Sequence, residues 1–172
     1  MARKIQLRII TPEGPKLQKE VDEFTAPSVQ GEFGVLPEHR PLLAGLKTGI
    51  LRYTEGSHEE SVAVGPGFVK IAEGQAEVLT DHFIAKEDVD AVVARKDLKE
   101  ADEALNQLSS DATESERAVA IAAARWAATR LELYGDPPPA TILLTHEMKL
   151  LAHEDYVETL KDIPESDDSA EV

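Results

Sequence analysis

Cysteine is absent, so thiol nucleophiles, disulfide frameworks, zinc fingers and iron–sulfur sites are all excluded at once. The five histidines, His39, His58, His82, His146 and His153, show no ligand spacing. Only His146 and His153 fall at i, i+7, and two ligands are too few for a metal site. No Gly-x-x-x-x-Gly-Lys-Ser/Thr phosphate loop occurs. Gly65-Pro66-Gly67 precedes a strand-like run and reads as a hairpin, not a dinucleotide turn. Ser61 and the serines near the C-terminus have no neighbouring His/Asp pattern. Acidic side chains are abundant, but no pair stands out as an acid/base couple. Trp126, the single tryptophan, sits in a helical pattern, where core or interface packing is the usual role. The expectation is a protein with no catalytic residues, no metal and no cofactor.

One segment resists that plain account. Gly31-Glu32-Phe33-Gly34-Val35-Leu36-Pro37-Glu38-His39-Arg40-Pro41-Leu42-Leu43 is too dense in Gly, Pro and apolar residues for a casual linker. Gly31, Gly34, Pro37 and Pro41 restrict the backbone, and Phe33, Val35 and Leu36 anchor it. A rigid loop that presents Glu32 and His39 suits docking to another protein. The alternative is a tight sandwich corner whose polar residues face water.

The elements that hold this loop divide near residue 85. Nine of the ten glycines precede residue 75, and no Gly or Pro lies between Lys86 and Tyr134, so turn-rich sequence gives way to turn-free sequence. In the first part Ile5, Leu7 and Ile9 alternate with polar residues, and Thr11-Pro12-Glu13-Gly14 is turn chemistry. Short apolar stretches follow at 21–26, 33–36, 50–53, 62–64, 68–72 and 76–80, which predicts a β-sandwich or barrel over residues 1–85. In the second part Ala91, Ala94, Leu98, Ala101, Leu105 and Leu108 form a heptad seam on a helix from about Lys86 to Leu108. Thr113 and Glu116 predict a capping box for a second helix. Its seam is Ala120, Ala124, Ala127, Leu131 and Tyr134, and Gly135 with Pro137-Pro138-Pro139 ends it. Residues 86–136 therefore read as a helix-turn-helix. Residues 137–172 read as a Pro-initiated extension, with a possible helix at 141–160 and an acidic disordered end.

Alanine dominates both seams. An Ala seam gains little from burial but lets backbones approach closely, and its helical propensity persists without docking. The hairpin is either a plain antiparallel pair resting on the sandwich or a mobile arm that exchanges partners.

The formal charge of −15 argues against neutralising nucleic-acid phosphates. It is unevenly spread. Residues 1–85 hold 9 Lys+Arg against 12 Asp+Glu, residues 86–136 hold 7 against 12, and residues 137–172 hold 2 against 9. The acidity thus belongs to the helical part and the extension. No apolar run approaches the roughly 18 residues of a membrane span, and the N-terminal residues lack a signal-peptide core, so a cytosolic or equivalent compartment is expected.

At the loop the chain resembles the epsilon subunit of the F-type ATP synthase, bacterial type. The likeness runs through Leu7-Arg8-Ile9-Ile10-Thr11-Pro12-Glu13-Gly14, the whole of 31–43, Leu46-Lys47-Thr48-Gly49-Ile50-Leu51-Arg52, Ala63-Val64-Gly65-Pro66-Gly67-Phe68-Val69 and Val78-Leu79-Thr80-Asp81. The resemblance implies a flattened antiparallel β-sandwich followed by a helical hairpin. It implies a non-catalytic rotor subunit that binds the gamma subunit and rests on the c-ring, at the cytoplasmic face of the bacterial inner membrane. Membrane association then comes only through the complex. Family positions that touch the c-ring fall on Thr11, Glu32 and His39. The hairpin would regulate ATP hydrolysis by folding on the sandwich or extending toward the alpha and beta subunits. Some members bind ATP with an Ile-Asp-x-x-Arg-Ala motif and two arginines on the second helix. Here Val89-Asp90-Ala91-Val92-Val93-Ala94 keeps Asp90 but has Val93 for the Arg. Trp126 takes one arginine position and Arg130 the other, so weak or absent ATP binding is expected. A stand-alone ATP-sensing or protein-interaction module is the alternative. The extension from residue 137 shows no recognised counterpart in that family and reads as an inert acidic tail, as a lengthening of the inhibitory arm or as a modifier of docking by repulsion.

Overall fold

The structure is a computed structural model that describes residues 3–109 and 111–138. Ten strands come first: β1 (Ile5–Thr11), β2 (Gly14–Val21), β3 (Glu23–Ser28), β4 (Gly31–Val35), β5 (Leu42–Leu46), β6 (Gly49–Glu55), β7 (His58–Val64), β8 (Gly67–Ala72), β9 (Gln75–Thr80) and β10 (Phe83–Ala85). In β1 the alternation does what it predicts: Ile5, Leu7 and Ile9 are buried and Gln6 is exposed. One strand goes unannounced in the sequence, and one loop reading needs correction. β2 has too few apolar residues to announce a strand; it forms because its backbone pairs with β1 from Ile5↔Val21 to Thr11↔Gly14. As an edge strand it tolerates Pro15. Segment 31–43 is not one loop. β4 pairs with β3 and β5 with β8, which leaves only 36–41 as a connection.

The strands join in the order β10-β7-β6-β3-β5-β8-β9-β1-β2, with β4 added on β3. Pairing is antiparallel apart from β1 with β9, which is parallel. β3 and β5 meet at a single bridge, Ser28↔Leu46, and the sheet folds over there into two layers. Phe24, Leu51, Tyr53 and Val64 from one layer pack against Leu7, Ile9, Val69 and Val78 from the other. This is the flattened sandwich expected.

Far from the fold-over, Lys19 of β2 ties the two layers together. Its ammonium reaches Glu60 at 3.2 Å and Glu55 at 3.5 Å, and lies 5.4 Å from the centre of the Tyr53 ring. The Tyr53 hydroxyl donates to Glu60. Burial, reinforced by the Glu60 carboxylate, pushes the Tyr53 phenol up to about 12. The same hydrogen bond, followed by those from Lys19, holds Glu60 below the usual carboxylate range.

A 3₁₀ turn, Lys86–Asp88, leads to α1 (Ala91–Gln107) and α2 (Glu114–Tyr134). The first helix starts later than the expected Lys86. Asp90 is its N-cap and accepts from the Val92 and Val93 amides at 2.9 and 3.1 Å, and Val89 before it is extended and buried. Ala91, Ala94, Leu98, Ala101 and Leu105 form the buried seam as predicted, whereas Leu108 is half-buried and is the C-cap just past the helix. The capping box at Thr113 and Glu116 is present. Gly135, with φ 104°, and Asp136 both donate to the Leu131 carbonyl and close the C-terminus.

The α2 seam differs from expectation at both ends, and Ala120 at its start is only half-buried. Tyr134 is 51% exposed, whereas Ile121, Thr129 and Leu133 are buried beside Ala124, Ala127 and Leu131. The reason is that α2 has two partners. One face meets α1; Leu133 and Trp126 pack instead on Ile50 of β6 and Ala63 of β7, on the outer surface of the sandwich. The expected helix at 141–160 and the acidic end lie outside the described residues.

Candidate docking site

A strand of a two-layer sheet turns alternate residues outward. In β1, β8 and β9 the apolar pairs Ile9-Ile10, Phe68-Val69 and Val78-Leu79 put one apolar side chain in the core and leave its neighbour outside. Register lines up the outward members. Ile10 faces Leu79, Leu79 faces Phe68, and Phe68 faces Gly45. The result is an apolar row across four strands. Phe68 is 58% exposed and Leu79 49%. With Val29 and Pro66 they line an open groove of about 690 Å³. The adjacent row is polar, with Lys70 opposite Glu77 and Glu77 bonded to Arg8 at 3.2 Å. The hairpin covers the outer face of β6 and β7, and among the described residues nothing is packed on this second outer face. Apolar residues on both faces of a sheet imply a partner for each face.

The residues singled out from the sequence surround this row unevenly. Thr11 borders the groove, but its hydroxyl donates to Gly14 at 3.3 Å within its own turn. Gly31, with φ 118°, pairs with Ser28, whose bridge partner Leu46 lines the same groove. Glu32 follows it, exposed, and accepts from Arg52 at 3.3 Å. Phe33 packs on the core, Gly34 lies opposite Thr25, and Leu36 is 60% exposed. Pro37 is half-buried and Pro41 exposed. His39 is exposed; its amide donates to Leu36 and its Nδ1 lies 2.8 Å from the Arg40 carbonyl, a geometry that places the ring proton on Nδ1. Glu38 next to it, with φ 66°, pairs with Arg3, which precedes β1. Thr11 ends that seven-residue strand, roughly 20 Å away. Thr11 and Glu32 therefore share one end of the sandwich, and His39 lies toward the other. A partner that touched all three would have to lie along the sandwich rather than cap one end.

The hairpin residues are engaged with one another. Asp90 is committed as the α1 cap. Arg130 is 14% exposed and donates to Asp97 of α1 at 2.7 Å, while its guanidinium carbon lies 5.9 Å from the Trp126 ring centre. Arg95 makes a two-nitrogen contact with Asp136 at 2.6 and 3.0 Å. Each of these arginines is already paired with a carboxylate. Among the described residues no group of three or more His, Asp or Glu could hold a metal ion. No helix among them is long and apolar enough to cross a membrane.

The apolar row itself escaped the sequence reading. Its signal was present: paired apolar residues in strands whose neighbours alternate.

Together these features define an assembly protein, a β-sandwich with a helical hairpin and a bare apolar face. The family model for the ATP synthase delta/epsilon chain, beta-sandwich domain, matches residues 4–95. The ATP synthase epsilon chain of Anaeromyxobacter sp. is 41% identical over 131 residues, covering 76% of this chain and 98% of the relative. That of Leptospira interrogans is 41% identical over 101 residues, covering 59% and 80%. Among solved structures, a chain of the Euglena gracilis mitochondrial ATP synthase, OSCP/F1/c-ring, aligns with TM-score 0.63 at 25% identity, covering 76% and 80%. A chain of the Tetrahymena thermophila mitochondrial ATP synthase central stalk and c-ring shares the fold, with TM-score 0.52 at 13% identity over 76% and 96%. The chain belongs to the ATP synthase epsilon-chain family. It is a non-catalytic subunit of the central stalk and a peripheral part of the complex.

Proposed function

We propose that the sandwich, residues 1–85, couples gamma to the c-ring, and that the apolar row of Ile10, Phe68 and Leu79 is the seat of gamma. The observation that carries this reading is the bare apolar face opposite the one the hairpin covers. Thr11, Glu32 and His39 take the contacts with the polar loops of the c-ring and its neighbours on the rotor. The complex works at the cytoplasmic face of the bacterial inner membrane, and this chain meets the membrane only through it. Residues 86–136 act as the regulatory part. Folded on the sandwich they permit turnover; extended, they reach the alpha and beta subunits and inhibit ATP hydrolysis. The alanine seams support such an exchange, because an interface poor in large side chains gives up little on parting.

Gel filtration of an equimolar mixture with gamma tests the first part. A stable complex is expected at micromolar concentration, and separate elution of the two chains would sink it. Truncation after about residue 85 tests the second. Gamma binding should persist while ATP hydrolysis by the assembled complex rises; unchanged hydrolysis would mean that these helices are not a brake.

A further inference from the structure

The hairpin rests on the sandwich through a small apolar contact, Ile50 and Ala63 against Val89 and Leu133, with Ile84 and Trp126 beside it. One contact in this region is of a different kind. The His82 ring, in the connection between β9 and β10, stacks on the Trp126 indole with centroids 5.2 Å apart and planes 28° apart. His82 is held firmly for this. Its carbonyl accepts from the Gly65 amide at 2.9 Å and the Thr80 hydroxyl at 3.1 Å. A Cβ at Gly65 would stand 3.0 Å from the His82 amide nitrogen, so a larger residue there would crowd His82. On α2, Arg130 is one turn beyond Trp126 and directs its guanidinium at the same indole. Arg130 then bonds Asp97 of α1.

We propose that His82, Trp126, Arg130 and Asp97 form a catch. It runs from the sandwich corner through α2 to α1 and holds the hairpin in its folded position without a bound nucleotide. The physical argument is one of proportion. The rest of the docking contact is a handful of aliphatic side chains, Ile50, Ala63, Ile84, Val89 and Leu133, while aromatic stacking and a cation on an indole add energy beyond area. Because Arg130 serves both the indole and Asp97, closing the two helices on each other and docking them on the sandwich reinforce one another. This inference deepens the regulatory reading above and rests on it for its biological meaning, but not for its geometry.

The test uses the full chain. Trp126 is the only tryptophan, so intrinsic emission reports its surroundings directly. His82→Ala should shift that emission to the red and speed amide exchange across Ile121–Leu133 about three- to tenfold, the range expected from losing one ring stack. His82→Phe, which keeps a stacking ring, should restore both. Trp126→Leu, followed by exchange alone, should loosen the same amides. Asp97→Ala should loosen α1 and α2 together. Unchanged emission and exchange in His82→Ala would overturn the catch, as would failure of His82→Phe to restore them. The regulatory reading is tested separately, by ATP hydrolysis in the assembled complex. A His82→Ala chain that undocks yet leaves hydrolysis unchanged would uphold the catch and overturn the regulation.

Discussion

Phe68→Ala is the sharpest test of the docking face. Phe68 leaves 58% of its surface to solvent in the isolated chain. For a phenylalanine that buries about 200 Å² when fully covered, this is roughly 115 Å² available to a partner. At about 25 cal/mol per Å², covering it is worth up to about 3 kcal/mol. Side-chain ordering takes back a part, so we expect gamma affinity to fall about 10- to 100-fold. Isothermal titration of purified gamma into the full chain measures this. Two controls make the result specific. The variant should melt within a few degrees of the parent, because the side chain is already half outside the core. Val119→Ala, on an exposed position of α2, should change affinity less than about twofold, since that side chain is remote from the row. Phe68→Ala binding gamma as tightly as the parent would refute the assignment, because no other large side chain stands so far out of the groove's central row.

Four further outcomes rest on the same geometry. Tyr53 should make the fold alkali-sensitive: its phenol titrates near 10 when unfolded and about 12 when folded, so the unfolded chain loses the proton first and stability declines as pH rises between those values. Tyr53→Phe should flatten that alkaline limb in urea titrations followed by circular dichroism, at a cost of about 1 kcal/mol near neutrality; an unchanged limb would rule out this phenol as its cause. Glu60 acts at the opposite end of the scale. Its carboxyl is held below the usual carboxylate range by the Tyr53 hydroxyl and Lys19, so its contribution is present above that range and is lost as pH falls through the folded value. Gly67→Ala should lower stability by at least about 3 kcal/mol in a thermal melt, because a Cβ there would stand 1.9 Å from the Leu79 carbonyl oxygen; a melt within two degrees of the parent would contradict the register of β8 and β9. Millimolar ATP should produce no saturable chemical-shift change at Asp90 or Arg130, since one caps α1 and the other is bonded to Asp97; a clear saturable shift at both would overturn the expectation.

Local chemistry explains why some elements could be read in advance. A capping box needs only Thr113 and Glu116 three residues apart, and both side chains make the bonds that spacing allows. The α1 seam is set by helical periodicity alone, and from Ala91 to Leu105 it is buried as expected. The start of α1 was misplaced because Asp90 caps it from within what read as continuous helix. β2 was invisible because an edge strand is defined by its neighbour's backbone rather than by its own side chains.

By itself the sequence determined the kinds of structure present. Alternation with a period of two, capping residues, and the loss of Gly and Pro after residue 85 specify a sandwich followed by a helical hairpin. They do so because they act within a few residues of chain. The tertiary structure alone decided which faces meet. It set Ile10, Leu79 and Phe68 side by side from strands far apart in sequence, turned Leu133 instead of Tyr134 toward the sandwich, and brought His82 against Trp126. Those relations depend on strand register and on how the sheet folds over, which are fixed by the packing of the whole core and not by any local run of residues.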